Sequence, residues 1–359
     1  MRRHPIAPER RRARGAASND TPRFDALAHV PFNDGWDIAE DLPFLRTHVA
    51  HEQARRILTR NTSPDIGFDR SINPYRGCEH GCIYCYARPS HAYLGLSPGL
   101  DFETRLTVKP NAPDLLAREL SAPGYSPQPI AIGTNTDAYQ PIEKQHEVMR
   151  RILEVLLDFR HPVTITTKGT LIERDLDLVS RLAERGLVQV GISVTTLDPA
   201  LSRKMEPRVP VPARRLGTIA RLSRAGVPVR IMMSPVIPAL TDHEIERVLE
   251  AGKAAGARGA SWIMLRLPLE VADLFRDWLQ EHYPDRAARV MARLRETQGG
   301  RDYRPDWGRR MRGEGVHANL VARRFELAAR RLGLDGPLPP LDLAQFRVPP
   351  RPGDQLSLF

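Results

Sequence analysis

The sequence of 359 residues predicts an α/β fold built on a parallel β-sheet. Strand-like runs rich in β-branched residues alternate with amphipathic helical patterns between residues 71 and 282. Two of the helical patterns end at a glycine, Gly186 and Gly226, directly before the next strand-like run, as helix C-caps do. This alternation indicates βα units, and about six can be counted, which is fewer than the eight that a closed barrel needs.

Each strand-like run is an apolar stretch that ends in polar residues or a turn. The runs are PIAIGTNTD (129–137), PVTITTKG (162–169), LVQVGISVTT (187–196), PVRIMMSPVI (228–237) and ASWIMLRLP (260–268), and a further strand is expected before Cys78. The helical patterns between them cover residues 143–159, 173–186, 212–226 and 242–256. Ligands bind at the carboxyl ends of such strands, so the polar endings are the candidate binding residues.

The segments that flank this α/β region differ from it in composition. Residues 1–24 are arginine-rich without the apolar run of a secretory signal, and predict a disordered basic arm. An N-terminal extension over residues 25–70 is expected to contain one short helix, within 45–60. Residues 283–334 predict a basic helical extension, and the proline-rich residues 335–359 predict an extended tail, so both termini are expected to be flexible.

The charge balance of the chain favours a polyanionic partner. Lys and Arg number 53 against 43 Asp and Glu, which gives a net charge of +10. Nucleic acid is the simplest such partner, although a high arginine content can also serve solubility alone. No apolar run is long enough to cross a membrane, and a cluster of reduced cysteines predicts a cytoplasmic protein. The arginines expected to bind DNA are those at 10, 11, 12, 14, 309, 310, 312, 323 and 324.

All three cysteines, Cys78, Cys82 and Cys85, lie in the stretch YRGCEHGCIYCYARP with the spacing C-x3-C-x2-C. An odd cluster this tight cannot form a disulfide framework. His80 or His91 can complete a zinc site, but structural zinc ligands usually come as two pairs, and a second pair is missing. An iron–sulfur cluster fits better, because three thiolates can each bind one iron and leave the fourth iron open to a small molecule.

The cysteine spacing, with Tyr84 before the last cysteine, resembles the cluster loop of the radical S-adenosylmethionine (SAM) superfamily. The longer string CIYCYA resembles the branch related to spore photoproduct lyase. This resemblance implies a partial (β/α)6 TIM-type barrel over residues 71–282 and a [4Fe-4S] cluster whose open iron is chelated by SAM. It also implies an electron donor such as a flavodoxin or ferredoxin, and cleavage of SAM to a 5′-deoxyadenosyl radical that abstracts a hydrogen atom from the substrate.

The polar strand endings supply the candidate SAM-binding residues. They are Thr134, Asn135, Asp137, Lys168, Ser193, Thr195 and Ser234. Lys168 can pair with the methionine carboxylate, and Ser193 or Thr195 can bind the ribose hydroxyls. The resemblance implies the same for Lys168 and Ser193, since spore photoproduct lyase binds SAM with a lysine and a serine at similar strand ends. Thr, Asn and Asp at strand ends are also ordinary turn residues, so this alternative stays open.

Further candidates lie beside the predicted barrel mouth. Glu206 and Arg208, in RKMEPRVP, can clamp cofactor or substrate, or form a solvent-screened ion pair with each other. Tyr84 and Tyr86 can relay a radical or form a stacking wall, and Tyr84 can also contact the cofactor. Spore photoproduct lyase uses a cysteine outside the cluster as its hydrogen-atom donor, and this chain has none, so Tyr139 is a candidate substitute.

The last five residues, QLSLF, resemble the pentapeptide by which bacterial repair and replication proteins dock on the DNA sliding clamp. The residues are Gln355, Leu356, Ser357, Leu358 and Phe359, preceded by VPPRPGD as a tether. Leu358 and Phe359 are adjacent apolar anchors for a pocket, and Gln355 can form a hydrogen bond at its rim. The alternative is that this short apolar tail packs on the protein's own core.

Together these features predict a radical SAM enzyme that acts on DNA in repair or modification. A radical SAM enzyme with a protein, RNA or small-molecule substrate remains an alternative, in which the basic segments are incidental. A non-catalytic DNA-binding module that carries a metal is a third possibility. The motif at the C-terminus favours DNA among these substrates.

Overall fold

The computed structural model describes residues 6–27 and 44–350, and its main sheet has seven strands. The strands are β2 (Leu58–Arg60), β3 (Arg70–Ile72), β6 (Ile130–Ile132), β7 (Val163–Thr167), β8 (Val188–Ser193), β9 (Val229–Val236) and β10 (Gly259–Met264). Their order is β10-β9-β8-β7-β6-β3-β2. The six strands β3, β6, β7, β8, β9 and β10 are mutually parallel, and β2 pairs antiparallel with β3. The predicted six-unit α/β arrangement is confirmed as an open sheet with β10 and β2 at its edges.

A second, three-stranded sheet lies beside the first. It is formed by β1 (His48–His51), β5 (Arg105–Val108) and β4 (Tyr75–Arg76), in the order β1-β5-β4. The short helix predicted within residues 45–60 is therefore wrong, because this stretch contains β1 and β2. Pairing with strands distant in sequence, β1 with β5 and β2 with β3, outweighs the local helical pattern.

Eleven α-helices are described, and several of them pack against the main sheet. The helices are α1 (Asp101–Thr104), α2 (Ala112–Leu120), α3 (Glu143–His146), α4 (Val148–Asp158), α5 (Leu176–Glu184), α6 (Pro199–Met205), α7 (Pro212–Arg224), α8 (Ile245–Ala254), α9 (Glu270–His282), α10 (Pro284–Thr297) and α11 (Gly315–Leu332). The apolar stripes of α4, α5, α7 and α8 join the strands in one main hydrophobic core. Gly186 and Gly226, at φ of 67° and 79°, follow α5 and α7 in the left-handed conformation that the sequence predicts for C-caps.

The C-terminal helices belong to the body of the fold, whereas the sequence predicts a separate extension over residues 283–334. α11 packs against α8 and β10, and the rings of Trp262 and Phe325 lie 6.0 Å apart. It is therefore the outer helix of the last βα unit. α9 and α10 form a second apolar core together with the cysteine loop. This core includes Ile83 of the loop and Phe275 and Trp278 of α9. None of the helices in the described ranges has the length and apolar character to cross a lipid bilayer.

Residues 6–27 lie against the body of the fold, which differs from the disordered arm predicted over residues 1–24. The backbone N–H groups of Gly15 and Ala16 donate to the Glu103 carboxylate at 2.8 and 2.9 Å. Arg14 is buried and donates to the Glu103 carbonyl at 2.8 Å. A Cβ at Gly15 would lie 1.9 Å from the carbonyl oxygen of Gly81, so glycine is needed for this close approach.

The proline-rich tail crosses the end of the sheet where the strands begin. The backbone N–H of Asp342 donates to the Gly186 carbonyl at 3.0 Å, and that of Arg347 donates to the Phe159 carbonyl at 3.1 Å. Phe346 lies against Tyr125 and His161, with ring centroids 5.4 and 5.5 Å away. Residues 339–347 are thus anchored at the amino ends of β7 and β8.

We expect Glu103→Ala to destabilise the fold strongly. Glu103 and Arg88 form a fully buried ion pair of 2.5 Å, and removing the carboxylate leaves a buried guanidinium without its counter-charge and two N–H groups without an acceptor. The expected loss of unfolding free energy is about 3–5 kcal/mol. Urea denaturation measures this free energy of unfolding.

Glu296→Ala is the matched control, because its ion pair with Arg293 is largely exposed, and its effect should stay below about 1 kcal/mol. Equal effects of the two variants would contradict the role given to Glu103.

Candidate active site

A cavity of about 590 Å³ opens at the carboxyl ends of the parallel strands. Its wall is formed by Asn61, Ile66, Phe68, Ser71, Cys82, Tyr84, Cys85, Tyr86, Gly133, Thr134, Thr166, Lys168, Ser193, Met232, Ser234, Pro235, Ile263, Met264, Leu265, Arg266, Arg310 and Met311. The cysteine loop and five strand ends therefore meet around one space, as expected for a parallel α/β fold.

The cysteine loop follows β4 and is held by backbone hydrogen bonds. The Cys78 N–H donates to the Phe102 carbonyl at 2.9 Å, and the Ile83 N–H donates to the Met205 carbonyl at 3.0 Å. The buried Arg88 side chain donates to the Cys82 carbonyl at 3.0 Å. All three cysteines are free thiols, with Cys78 and Cys82 buried and Cys85 half-buried. Cys82 and Cys85 face the cavity.

These three thiols fit a [4Fe-4S] cluster better than a zinc ion. His80, a candidate zinc ligand, has its Nδ1 3.3 Å from the Asp137 carboxylate. The other candidate, His91, has its Nε2 2.9 Å from the Arg105 carbonyl oxygen. Within residues 6–27 and 44–350, no three His, Cys, Asp or Glu side chains converge closely enough to hold a single metal ion. A cluster instead binds each thiolate to a different iron, so the thiolates can lie further apart.

Lys168 and two serines form a polar group on the cavity wall. The Lys168 Nζ donates to Ser193 Oγ at 3.0 Å and to the Ser234 carbonyl at 3.4 Å. The Nζ also lies 5.8 Å from the ring centroid of Tyr84, close to the cysteine loop. Ser234 Oγ is buried and finds no hydrogen-bond partner among the described residues. This group can receive a ligand that carries both a carboxylate and hydroxyl groups.

Asp137 positions Lys168 and does not face the cavity. Its carboxylate accepts from the Lys168 backbone N–H at 2.7 Å and from Thr167 Oγ1 at 2.6 Å. Burial alone raises the pKa of Asp137, but the charge of His80 and these hydrogen bonds bring that pKa down to about 2. Burial in turn lowers the pKa of His80, but the negative charge of Asp137 outweighs burial and raises that pKa to about 10. The cysteine loop and the end of β7 are tied together by this pair.

Glu206 forms a second buried connection behind the cavity. Its carboxylate pairs with Arg215 at 2.6 Å and accepts from Thr195 Oγ1 at 2.8 Å and from the Tyr84 hydroxyl. Arg215 also donates to the Ser193 carbonyl at 2.9 Å. Burial raises the pKa of Glu206, but the charge of Arg215 outweighs it and holds that pKa below its ordinary value. The carboxylate therefore stays charged and joins the cysteine loop to β8.

Several residues predicted for the site lie outside the cavity wall. Glu206 does not pair with Arg208, which instead lies 3.2 Å from the Glu79 carboxylate, so the predicted solvent-screened pair between the two is wrong. The Asn135 N–H donates to the Asn73 side chain at 3.0 Å, and Thr195 donates to Glu206. Tyr139 is buried in the main hydrophobic core. Tyr84, Tyr86, Thr134, Lys168, Ser193 and Ser234 do line the cavity.

Part of the cavity wall comes from segments that the sequence did not suggest. Residues 61–71 contribute Asn61, Ile66, Phe68 and Ser71, and the chain after β10 contributes Arg266 and Arg310. The guanidinium of Arg266 lies 4.1 Å from the ring centroid of Tyr86, whose hydroxyl donates to the Thr134 carbonyl. Arg266 lies in the last strand-like run, two residues after β10 ends, so the rule that selected the other strand ends could have found it.

The sequence is similar to proteins of mycobacteria and of Methanocaldococcus jannaschii. Uncharacterized proteins of Mycobacterium tuberculosis and Mycobacterium bovis are 38% identical over 277 residues, which cover 77% of this chain and 78% of theirs. An uncharacterized protein of Methanocaldococcus jannaschii is 28% identical over 214 residues, 60% of this chain and 76% of that protein.

Solved structures of spore photoproduct lyase share the fold. A mutant of that enzyme superposes with a TM-score of 0.53 at 16% identity and covers 79% of this chain and 77% of its own. Its complex with a dinucleoside spore photoproduct gives 0.51 at 18% identity, over 79% and 78% of the two chains. Residues 72–252 match the sequence model of the radical SAM superfamily. The chain belongs to the radical SAM superfamily.

Proposed function

We propose that this radical SAM enzyme holds a [4Fe-4S] cluster with Cys78, Cys82 and Cys85, binds SAM beside it, and acts on DNA. The observation that carries the proposal is that Cys82, Cys85, Lys168 and Ser193 line the same cavity. In this superfamily the reduced cluster supplies the electron that cleaves SAM, and a donor such as a flavodoxin or ferredoxin would provide that electron. The protein's own part is to bind, orient and shield the reactants.

Lys168 and Ser193 are the residues we assign to SAM. The ammonium group of Lys168 lies at the cavity wall, where it donates to Ser193 Oγ, and it can pair with the carboxylate of the methionine moiety. Ser193 and Ser234 offer hydroxyls for the ribose, and the unpartnered Ser234 Oγ would gain a hydrogen bond. Met232 and Pro235 add apolar surface beside them. Asp137 and Glu206 act through their neighbours, by fixing Lys168, Tyr84 and the backbone of Ser193.

Two properties support DNA as the substrate. The net charge of +10 favours a polyanion, and Arg266 and Arg310 stand in the wall of the cavity. Spore photoproduct lyase, which shares the fold, has been solved with a dinucleoside spore photoproduct.

This chain has no cysteine beyond the cluster loop to donate a hydrogen atom. Tyr86 lines the cavity with 43% of its surface exposed, whereas Tyr139 lies in the core, so we assign any phenolic donor role to Tyr86.

The cluster is tested first. We expect the anaerobically reconstituted protein to contain iron and sulfide, and to release 5′-deoxyadenosine from SAM when reduced. Cys82→Ala should abolish both cluster assembly and release, because each thiolate holds one iron. DNA, with and without ultraviolet damage, should increase the release if DNA is the substrate. Full SAM cleavage by Cys82→Ala would contradict the cluster assignment, whereas cleavage that no DNA affects would contradict the substrate alone.

Lys168→Met should weaken SAM binding about tenfold or more, because it removes a charge-assisted hydrogen bond while keeping the apolar stem. Equilibrium dialysis of SAM against the cluster-loaded protein measures this effect. Lys253→Met, on the outer helix α8, is the matched control and should bind SAM as wild type does. Iron content should be equal in all three proteins. Unchanged SAM affinity in Lys168→Met would remove Lys168 from the cofactor site.

We also propose that the C-terminal QLSLF motif docks on the bacterial DNA sliding clamp. The motif, residues 355–359, lies outside the described residues. The described tail supports the proposal through its position: residues 339–347 are anchored where the parallel strands begin, opposite the cavity. Docking there would leave the cavity open to DNA and would raise the local concentration of the enzyme on DNA.

The clamp proposal predicts that purified sliding clamp binds the wild-type protein and fails to bind a variant with both Leu358→Ala and Phe359→Ala. The loss follows from removing the two adjacent apolar anchors. Val348→Ala is the control, since it changes an exposed apolar residue of the tail outside the motif. Surface plasmon resonance on immobilised clamp measures binding. Equal binding by the double variant and wild type, or none by wild type, would refute docking.

A further inference from the structure

The loop between α10 and α11 connects the active-site cavity to a second hollow on the surface. We call residues 298–312 the rim loop. At its start, a hollow of about 320 Å³ is lined by Gln298, Gly299, Arg301, Arg304, Pro305 and Asp306. At its end, Arg310 and Met311 line the active-site cavity. In the sequence, Trp307 lies between the residues that line the hollow and those that line the cavity, and 61% of its surface is exposed.

The exposure of Trp307 does not come from a loosely held loop. The backbone N–H of its neighbour Gly308 donates to the Asp65 carboxylate at 2.6 Å, and Arg310 donates to the same carboxylate and to Ser63 Oγ at 2.6 Å. The Met264 N–H donates to the Met311 carbonyl at 2.8 Å. The indole is thus presented to solvent by a loop that is fixed to β10 and to the segment before β3.

Most of the Trp307 surface lies in water, and that part contributes nothing to stability through burial. Aromatic rings of this kind serve as platforms on which nucleic-acid bases stack. The surrounding charge selects a polyanion: the rim loop contains five arginines and two aspartates. Some of these arginines already have carboxylate partners, Arg304 with Glu314 at 2.5 Å and Arg309 with Glu314 at 3.1 Å.

We propose that the rim loop binds a DNA strand, with Trp307 stacked on one base while the adjacent nucleotide lies in the active-site cavity. This inference rests on the proposed action on DNA. A base inside a concave cavity has left the duplex, so its neighbour loses a stacking partner that an indole can replace. Arg301, in the wall of the hollow, is placed to bind a phosphate that follows along the strand.

Stacking and phosphate binding differ in their salt dependence, which makes the two roles separable. Loss of a stacking residue weakens binding at every salt concentration by the same factor, because no counterions are involved. Loss of an arginine that contacts a phosphate also lowers the slope of log K against log salt, by about one per contact.

The test uses the full-length, cluster-loaded protein and a fluorescein-labelled single-stranded DNA, with anisotropy measured over a range of salt concentrations. Trp307→Ala should weaken binding about tenfold with an unchanged salt slope, and Trp307→Phe should recover most of the affinity. Arg301→Ala should reduce the slope. Tyr93→Ala, which removes another exposed aromatic residue, 75% exposed and outside both cavity and rim loop, should bind as wild type does.

The possible outcomes separate this inference from the proposed function. If wild type binds DNA and Trp307→Ala binds equally well, the stacking role is refuted while DNA remains the substrate class. If wild type does not bind DNA at any salt concentration, the proposed substrate itself fails. If the same variants lose more affinity for an RNA of equal sequence than for DNA, the rim loop serves RNA and the DNA assignment is overturned. Thermal midpoints equal to that of wild type exclude misfolding as the cause of lost binding.

Discussion

The buried ion pair between Glu206 and Arg215 holds together the parts of the candidate active site. Both side chains are fully buried, which costs several kcal/mol of desolvation unless every polar atom finds a partner. Those partners include Tyr84 in the cysteine loop, Ser202 in α6 and the carbonyl of Ser193 in β8. Satisfying the pair therefore fixes the cysteine loop relative to the strand end that faces it.

A second buried carboxylate has the same function on the other side of the cysteine loop. Glu103 pairs with Arg88, whose guanidinium also donates to the carbonyls of Cys82 and Gly99 at 3.0 and 2.9 Å. The arm before the first sheet completes this arrangement, since Gly15 and Ala16 fill the remaining acceptor sites of Glu103. A basic N-terminal segment is thus used inside the fold, and its arginines are only partly available to an external polyanion.

The cavity wall combines residues from the range that matches the superfamily with residues from flanking segments. The thiols, Lys168 and Ser193 all lie within residues 72–252, which match the superfamily. Other parts of the wall come from residues outside that range, including Phe68, Arg266 and Arg310. The contact of Asp65 with Arg310 joins two of these flanking segments.

The sequence by itself determined the cysteine loop, the six βα units and the strand ends that carry Lys168 and Ser193. These features depend on local spacing and periodicity, which a chain displays without any knowledge of its tertiary contacts. Only the tertiary structure decided that Glu206 pairs with Arg215 and not with Arg208, that Tyr139 lies in the core, and that α11 completes the last βα unit. Each of these contacts joins residues that are distant in the sequence. The partner of a buried charge depends on which side chains the packing of strands and helices places beside it.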